Sequence, residues 1–174
     1  MPAPERAARE RAAPERAAPE RAARERAAPA AVLLDANLLL WAHHRQFTQH
    51  EPARAWLAEA LSTIPVVGIP WPSILAFVRI STHPRALERP LDAPAARAVV
   101  DGWLERPNVS TPVPTERHAA LFGGLLVDGR ATGDHTTDAH LAALAIEWGL
   151  VIMSADRDFA RYPGLRWEDP SAAW

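Results

Sequence analysis

The chain has no cysteine and no lysine, and those two absences remove much of the chemistry a 174-residue protein could carry. Without cysteine there are no disulfides, no thiolate metal centres and no sulfur nucleophile. Without lysine there is no P-loop amine to reach a phosphate, no Schiff base and no Ser-Lys pair. All 19 basic residues are arginine. Neither a G-x-S-x-G elbow nor a G-x-G-x-x-G loop occurs. No apolar run has the length of a membrane span and the N-terminus carries no secretory apolar segment, so a soluble, cytoplasmic protein with no membrane contact is expected. Acid, histidine, arginine and hydroxyl chemistry remain.

The net charge of −2 divides unevenly: residues 1–31 carry seven Arg and five Glu, the rest twelve Arg and sixteen acids. A polyanion site on this chain must therefore be local. Residues 4–28 are five copies of a unit (P/R)-E-R-A-A, whose period of five fits neither a helix face nor a strand face. Pro4, Pro14, Pro19 and Pro29 interrupt any long helix. We read residues 1–31 as a low-complexity repeat tail, disordered or partly helical, with native translation expected to begin near Val32. Residues 32–174 form the single folded domain, large enough for a real core.

From Val32 the pattern alternates. Residues 32–34 read as a short buried strand, with a helix from about Asn37. The segment 51–62 spaces Ala53, Trp56, Leu57 and Ala60 as an amphipathic helix does. Residues 66–70 read as a strand, 71–83 as a helix apolar nearly all round and therefore buried. Helices over 93–106 and 116–129 flank a strand near 108–113. The segment 137–148 reads as a helix with a Thr137 cap and Gly149 as its stop, followed by a strand at 150–153. Strands alternating with helices of this length predict an α/β domain with a parallel sheet flanked by helices.

Acids sit where those strands stop. Asp35 breaks the apolar run VLLDANLLLW, and Asp156 and Asp158 follow the strand LVIM. Asp138 opens the late helix on the same face as Leu141, Ala142, Ala145 and Trp148, whereas His140 and Glu147 fall on the opposite, solvated face. In open α/β sheets ligands bind beyond the carboxyl ends of the strands. Carboxylates gathered there, without lysine or cysteine, suit a hard divalent cation.

Each acid also has a plainer reading. Asp35 would cap the helix that follows it, Asp138 would answer a helix dipole, and one of Asp156 and Asp158 would cap a short helix. The inward direction of Asp138 and the convergence of strand ends favour the metal reading, with Asp156, nearer its strand, as the ligand. Asn37 would orient Asp35 or hold a water, and Asp158 would cap or act through a water. Asp134 is an outside candidate. Arg79 either leans toward the acids, organising them or a phosphate, or snorkels to the surface.

These stretches resemble the PIN-domain ribonuclease toxins of the VapC type, from type II toxin–antitoxin systems. The resemblance runs from Val32 to about Pro170 on LLDANLLLWA, IPWPSILAFVRISTHPR, DGWLERPNV, TDAHLAALAIEWG and SADRDFARYPGLRW. It implies a PIN-like fold, a Mg²⁺- or Mn²⁺-dependent endoribonuclease and a cognate antitoxin that holds it inactive, with a homodimer also compatible. Residue by residue, Asp35 resembles the first metal aspartate, Asp138 the one opening the late helix and Asp156 the third acid, all three counted as catalytic and as metal ligands. One departure stands out: many family members carry a glutamate where Ala76 or Phe77 stands, and no acid lies between Glu59 and Glu88. Two other readings follow from the same residues, a metal-dependent nuclease acting on DNA and a non-catalytic binding module.

Overall fold

A computed structural model describes residues 29–174, so the repeat through residue 28 lies outside the described residues. Five parallel strands form one sheet: β1 (Ala31–Leu34), β2 (Val66–Gly68), β3 (Val109–Ser110), β4 (Val151–Met153) and β5 (Trp167–Glu168), in the order β3-β2-β1-β4-β5. The chain first steps outward from β1 to β2 and β3, then returns to place β4 and β5 on β1's other side. The sheet therefore reverses its order between β1 and β4, where such sheets open a crevice at the carboxyl ends of the strands. Leu34 pairs with Met153 across that boundary. The α/β class and the parallel sheet flanked by helices are as expected.

Covering both faces makes the central strands apolar throughout. Val32, Leu33 and Leu34 are each fully buried. Val32 and Leu34 face one cluster with Val67, Ile69, Val151 and Met153. Four helices supply that cluster: α1 (Ala36–His43), α2 (His50–Thr63), α3 (Trp71–Ser81) and α4 (Ala93–Leu104). Leu33 and Ile152 face the other cluster, built on α5 (His118–Asp128) and α6 (His135–Trp148). Gly149 stops α6 as expected, at φ 67°, a left-handed conformation that glycine reaches without a Cβ penalty.

Three expectations are corrected by the packing. Helix α6 begins at His135, a turn's half earlier than Thr137, and no side chain caps it. Helix α3 is not buried all round: Ser73, Ile74, Phe77 and Ser81 face inward, while Trp71 is 49% and Leu75 61% exposed. Arg79 continues that outer i, i+4 row and is itself exposed. Apolarity did not bury this row because one neighbouring layer can cover only one stripe of a helix. Trp148, assigned to the inner face of α6, is 50% exposed at its last position.

Candidate active site

The helix α1 starts directly after β1, which places Asp35 at the mouth of the crevice. Its Oδ1 accepts from the Ala36 amide at 2.6 Å, so the capping role is real. Its backbone amide donates to the Met153 carbonyl at 3.2 Å, holding it beside the end of β4. Ser154, the next residue after β4, is fully buried. Its hydroxyl donates to Asp35 Oδ2 at 2.7 Å and accepts from Asn37 Nδ2 at 2.8 Å and from the Asp156 amide at 3.0 Å. Ser154 thus ties Asp35, Asn37 and Asp156 into one unit.

That arrangement fixes the Asn37 amide. The single hydroxyl proton of Ser154 goes to the carboxylate, so Asn37 must turn its NH₂ to the oxygen. Asn37 Oδ1 is left pointing elsewhere, buried and without a hydrogen-bond partner. A buried orphan acceptor costs about 1–3 kcal/mol unless something satisfies it.

The second half of the site comes from α6 and the short 3₁₀ turn Arg157–Arg161. Asp138 Oδ2 lies 3.3 Å from His135 Nδ1, and Asp158 Oδ2 lies 3.7 Å from the same nitrogen. Asp158 also pairs with Arg161 at 2.7 Å. Asp156 is the residue that caps the turn, its Oδ1 accepting from the Asp158 amide at 2.8 Å. The capping role thus falls on Asp156 and the ion pair on Asp158. His135 is itself anchored, since the Tyr162 hydroxyl donates to its carbonyl at 2.8 Å. Gly129 makes room for that ring: a Cβ there would stand 2.6 Å from Tyr162 Cε1.

Electrostatics join the two halves. Burial pushes the Asp35 carboxyl up to about 6, against its hydrogen bonds from Ser154 and Ala36, and Asp138 and Asp156 add repulsion. Burial also raises Asp138, against the hydrogen bond and charge of His135, with Asp156 and Asp158 adding repulsion. Carboxylates raised by burial and by one another are uncompensated charges. No group of three or more His, Asp or Glu is already arranged to hold a metal ion among the described residues. Each acid is instead engaged by Ser154, His135 or a backbone amide. The donor set itself is all oxygen, and the orphaned Asn37 Oδ1 lacks the positive partner a cation would supply. These residues fit a hard divalent ion.

Of the residues singled out in the sequence, the structure thus brings Asp35, Asn37, Asp138, Asp156 and Asp158 near one another at the carboxyl ends of β1 and β4. Asp134 occupies the cap position of α6 without a side-chain cap bond. Arg79 is exposed, and no ion pair or hydrogen bond joins it to the acids among the described residues; it takes the surface alternative. Ser154 and His135 escaped the sequence reading. The i, i+3 spacing of His135 and Asp138 was a usable signal; Ser154, a small residue two before Asp156, carried none.

The PIN domain family model matches residues 32–165. The chain belongs to the PIN domain family. Within it the resemblance to the VapC type holds at the sequence level. It is 41% identical over 140 residues to Ribonuclease VapC37 of Mycobacterium tuberculosis, covering 80% of this chain and 97% of that one. Ribonuclease VapC33 of the same species matches with the same identity and coverage. Among solved structures this PIN domain is similar to VapBC2 from Rickettsia felis bound to a promoter DNA fragment, at TM-score 0.57 and 15% identity, over 79% of this chain and 96% of that one. DNA-bound VapBC from Salmonella typhimurium gives TM-score 0.56 and 23% identity, over 80% and 97%. At those identities the structures speak to the fold alone. Among the described residues no helix is long and apolar enough to cross a membrane.

Proposed function

We propose that this PIN domain is a divalent-metal-dependent endoribonuclease, the toxin of a toxin–antitoxin pair, working on RNA in the cytoplasm. The observation that carries the reading is the Ser154-centred unit at the β1/β4 switch point, which gathers Asp35, Asn37 and Asp156 opposite Asp138. The ribonuclease names of relatives 41% identical over nearly their whole length support the substrate class. The VapC names of the same relatives support a toxin with a cognate antitoxin as partner.

Asp35 and Asp138 would hold Mg²⁺ or Mn²⁺, with Asp156 as a further ligand or as the base toward water, and Asn37 Oδ1 within the same donor set. When bound, such an ion accepts phosphate oxygens, sharpens a water as nucleophile and neutralises charge on the reacting phosphate. The chain's own residues do the rest. Ser154 holds the Asp35 carboxylate against the strand end, so it is positioned before substrate arrives. Asp156 keeps Oδ1 on the backbone, leaving Oδ2 to face a proton or cation. His135, fixed through its carbonyl by Tyr162, orients Asp138. Hydrolysis then breaks the P–O bond of one phosphodiester, with water supplying the new P–O bond and protons passing to a carboxylate and to the leaving oxygen. Without a glutamate on α3, a bound ion would have fewer protein carboxylates and would keep more of its waters.

Paired RNA and DNA oligonucleotides of one sequence, incubated with Mn²⁺, test the reading. The wild-type chain is expected to cut the single-stranded RNA and spare the DNA, and the Asp138→Asn chain to cut neither. DNA cut as fast as RNA would move the protein to the DNA-nuclease class.

A further inference from the structure

A second histidine–carboxylate assembly lies away from the aspartates. Sequence periodicity set His140 and Glu147 on a solvated face of α6, but the Glu147 side chain is 0% exposed. Its Oε2 accepts from His118 Nδ1 at 2.8 Å. Its Oε1 accepts from the Thr115 hydroxyl at 2.7 Å and the Thr115 amide at 3.4 Å. His118 opens α5 and its side chain is only 12% exposed. Its other nitrogen, Nε2, lies 2.9 Å from His140 Nδ1. The Phe122 ring stacks parallel to His118 at 5.9 Å and meets His140 edge-on at 6.4 Å.

The tautomers follow from the carboxylate, which can only accept. His118 must carry a proton on Nδ1, so in the neutral imidazole its Nε2 presents a lone pair toward His140. An imidazole whose far N–H is held by a carboxylate is the arrangement that orients histidine for a metal and raises its donor strength. Two imidazole nitrogens on a tetrahedral ion, each at about 2.0–2.1 Å, stand roughly 3.3–3.4 Å apart. The observed 2.9 Å would open by about half an ångström, with each ring turning so that its lone pair meets the ion off the N–N line. In the neutral pair His140 would shift its proton from Nδ1 to Nε2, with no net proton lost.

We propose that His118 Nε2 and His140 Nδ1 form a two-histidine site for a borderline transition-metal ion, zinc foremost, oriented from behind by Glu147. Imidazole donors select such ions over Mg²⁺, which prefers oxygen. His140 follows Asp138 by two residues, about 200° around the helix, so the site is separate from the carboxylate crevice and stands whether or not the nuclease reading does. Occupancy ties the first turn of α5 to α6; water or an anion fills the remaining positions on the ion.

The test is zinc titrated calorimetrically into the full, untagged chain in the presence of saturating Mg²⁺. One equivalent is expected to bind. His140→Ala should weaken it at least tenfold, Glu147→Gln by about 10–100-fold, and Asp138→Asn should leave it unchanged. Imidazole ¹⁵N spectra of the wild-type chain provide a reading that needs no variant: zinc should move His118 Nε2 and His140 Nδ1. Absence of stoichiometric binding, wild-type affinity in His140→Ala, or shifts confined to other histidines would each overturn the site and leave the trio a hydrogen-bonded clamp.

Discussion

Asp35→Asn is expected to lower RNA cleavage by on the order of 10³-fold or more while leaving the fold intact. The two halves of that expectation come from the same carboxylate. As a cation ligand it supplies charge that an amide lacks. As a buried acid raised to about 6, it is a liability to the folded chain. The sign is fixed by linkage: a folded pKa above the unfolded value near 3.8 means the unfolded chain holds the charge more easily. The resulting penalty is absent below about pH 4, grows between 4 and 6, and is complete above 6. A shift of about two units corresponds to roughly 3 kcal/mol as an upper limit. Asn escapes the penalty and still caps Ala36 through its oxygen. Its NH₂ competes with Asn37 and the Asp156 amide for the two lone pairs of Ser154, so the gain falls short of that limit. Thermal unfolding at pH 4 and pH 7 measures it: the variant should gain on the wild type as pH rises between them. A variant unfolded at pH 7 would show that the carboxylate is structural. The same titration makes wild-type cleavage fall as pH drops below about 6, because protons then compete with the cation for Asp35.

Ser154→Ala should weaken Mn²⁺ binding and cleavage together, each by about 10–100-fold, without touching any residue that would meet the ion. The hydroxyl makes three hydrogen bonds at once, to Asp35 Oδ2, Asn37 Nδ2 and the Asp156 amide. Its loss frees Asp35 from the hydrogen bond that lowers its pKa, so the carboxyl rises further and binds a cation less readily at neutral pH. It also strands the Asn37 amide, and a stability loss of about 1–3 kcal/mol is expected from the unpaired groups. Mn²⁺ electron paramagnetic resonance reads the affinity directly. Wild-type affinity in this variant would remove Ser154 from the site and with it the unit that joins β1 to β4.

The fold was legible because its signals were local. Apolar runs of three or four residues between helical periods mark buried parallel strands, and β1 and β4 read that way without ambiguity. Acids at their ends could then be placed in one crevice by topology alone, and the structure brings Asp35, Asp138, Asp156 and Asp158 together there. What escaped was set by long-range contact. Strand β5 is only Trp167–Glu168 and has no pattern of its own; pairing with β4 creates it. Ser154 meets Asp35 across 119 residues, and no spacing rule connects them. Glu147 looked solvated because helix geometry says which face a residue takes, not what packs on that face; Thr115 and His118 arrive from another element. Helix α3 departed in the opposite direction: an apolar neighbourhood in sequence turned out to carry an exposed row, Trp71, Leu75 and Arg79.

The central measurement is cleavage of purified total RNA by the full chain with Mg²⁺ or Mn²⁺, with EDTA, and with the Asp35→Asn chain beside it. Discrete fragments that need the metal and vanish in the variant are the expected result, and their mapped ends would give the target. Undiminished cleavage in EDTA, or by the Asp35→Asn chain, would contradict the assignment of metal-dependent chemistry to this crevice.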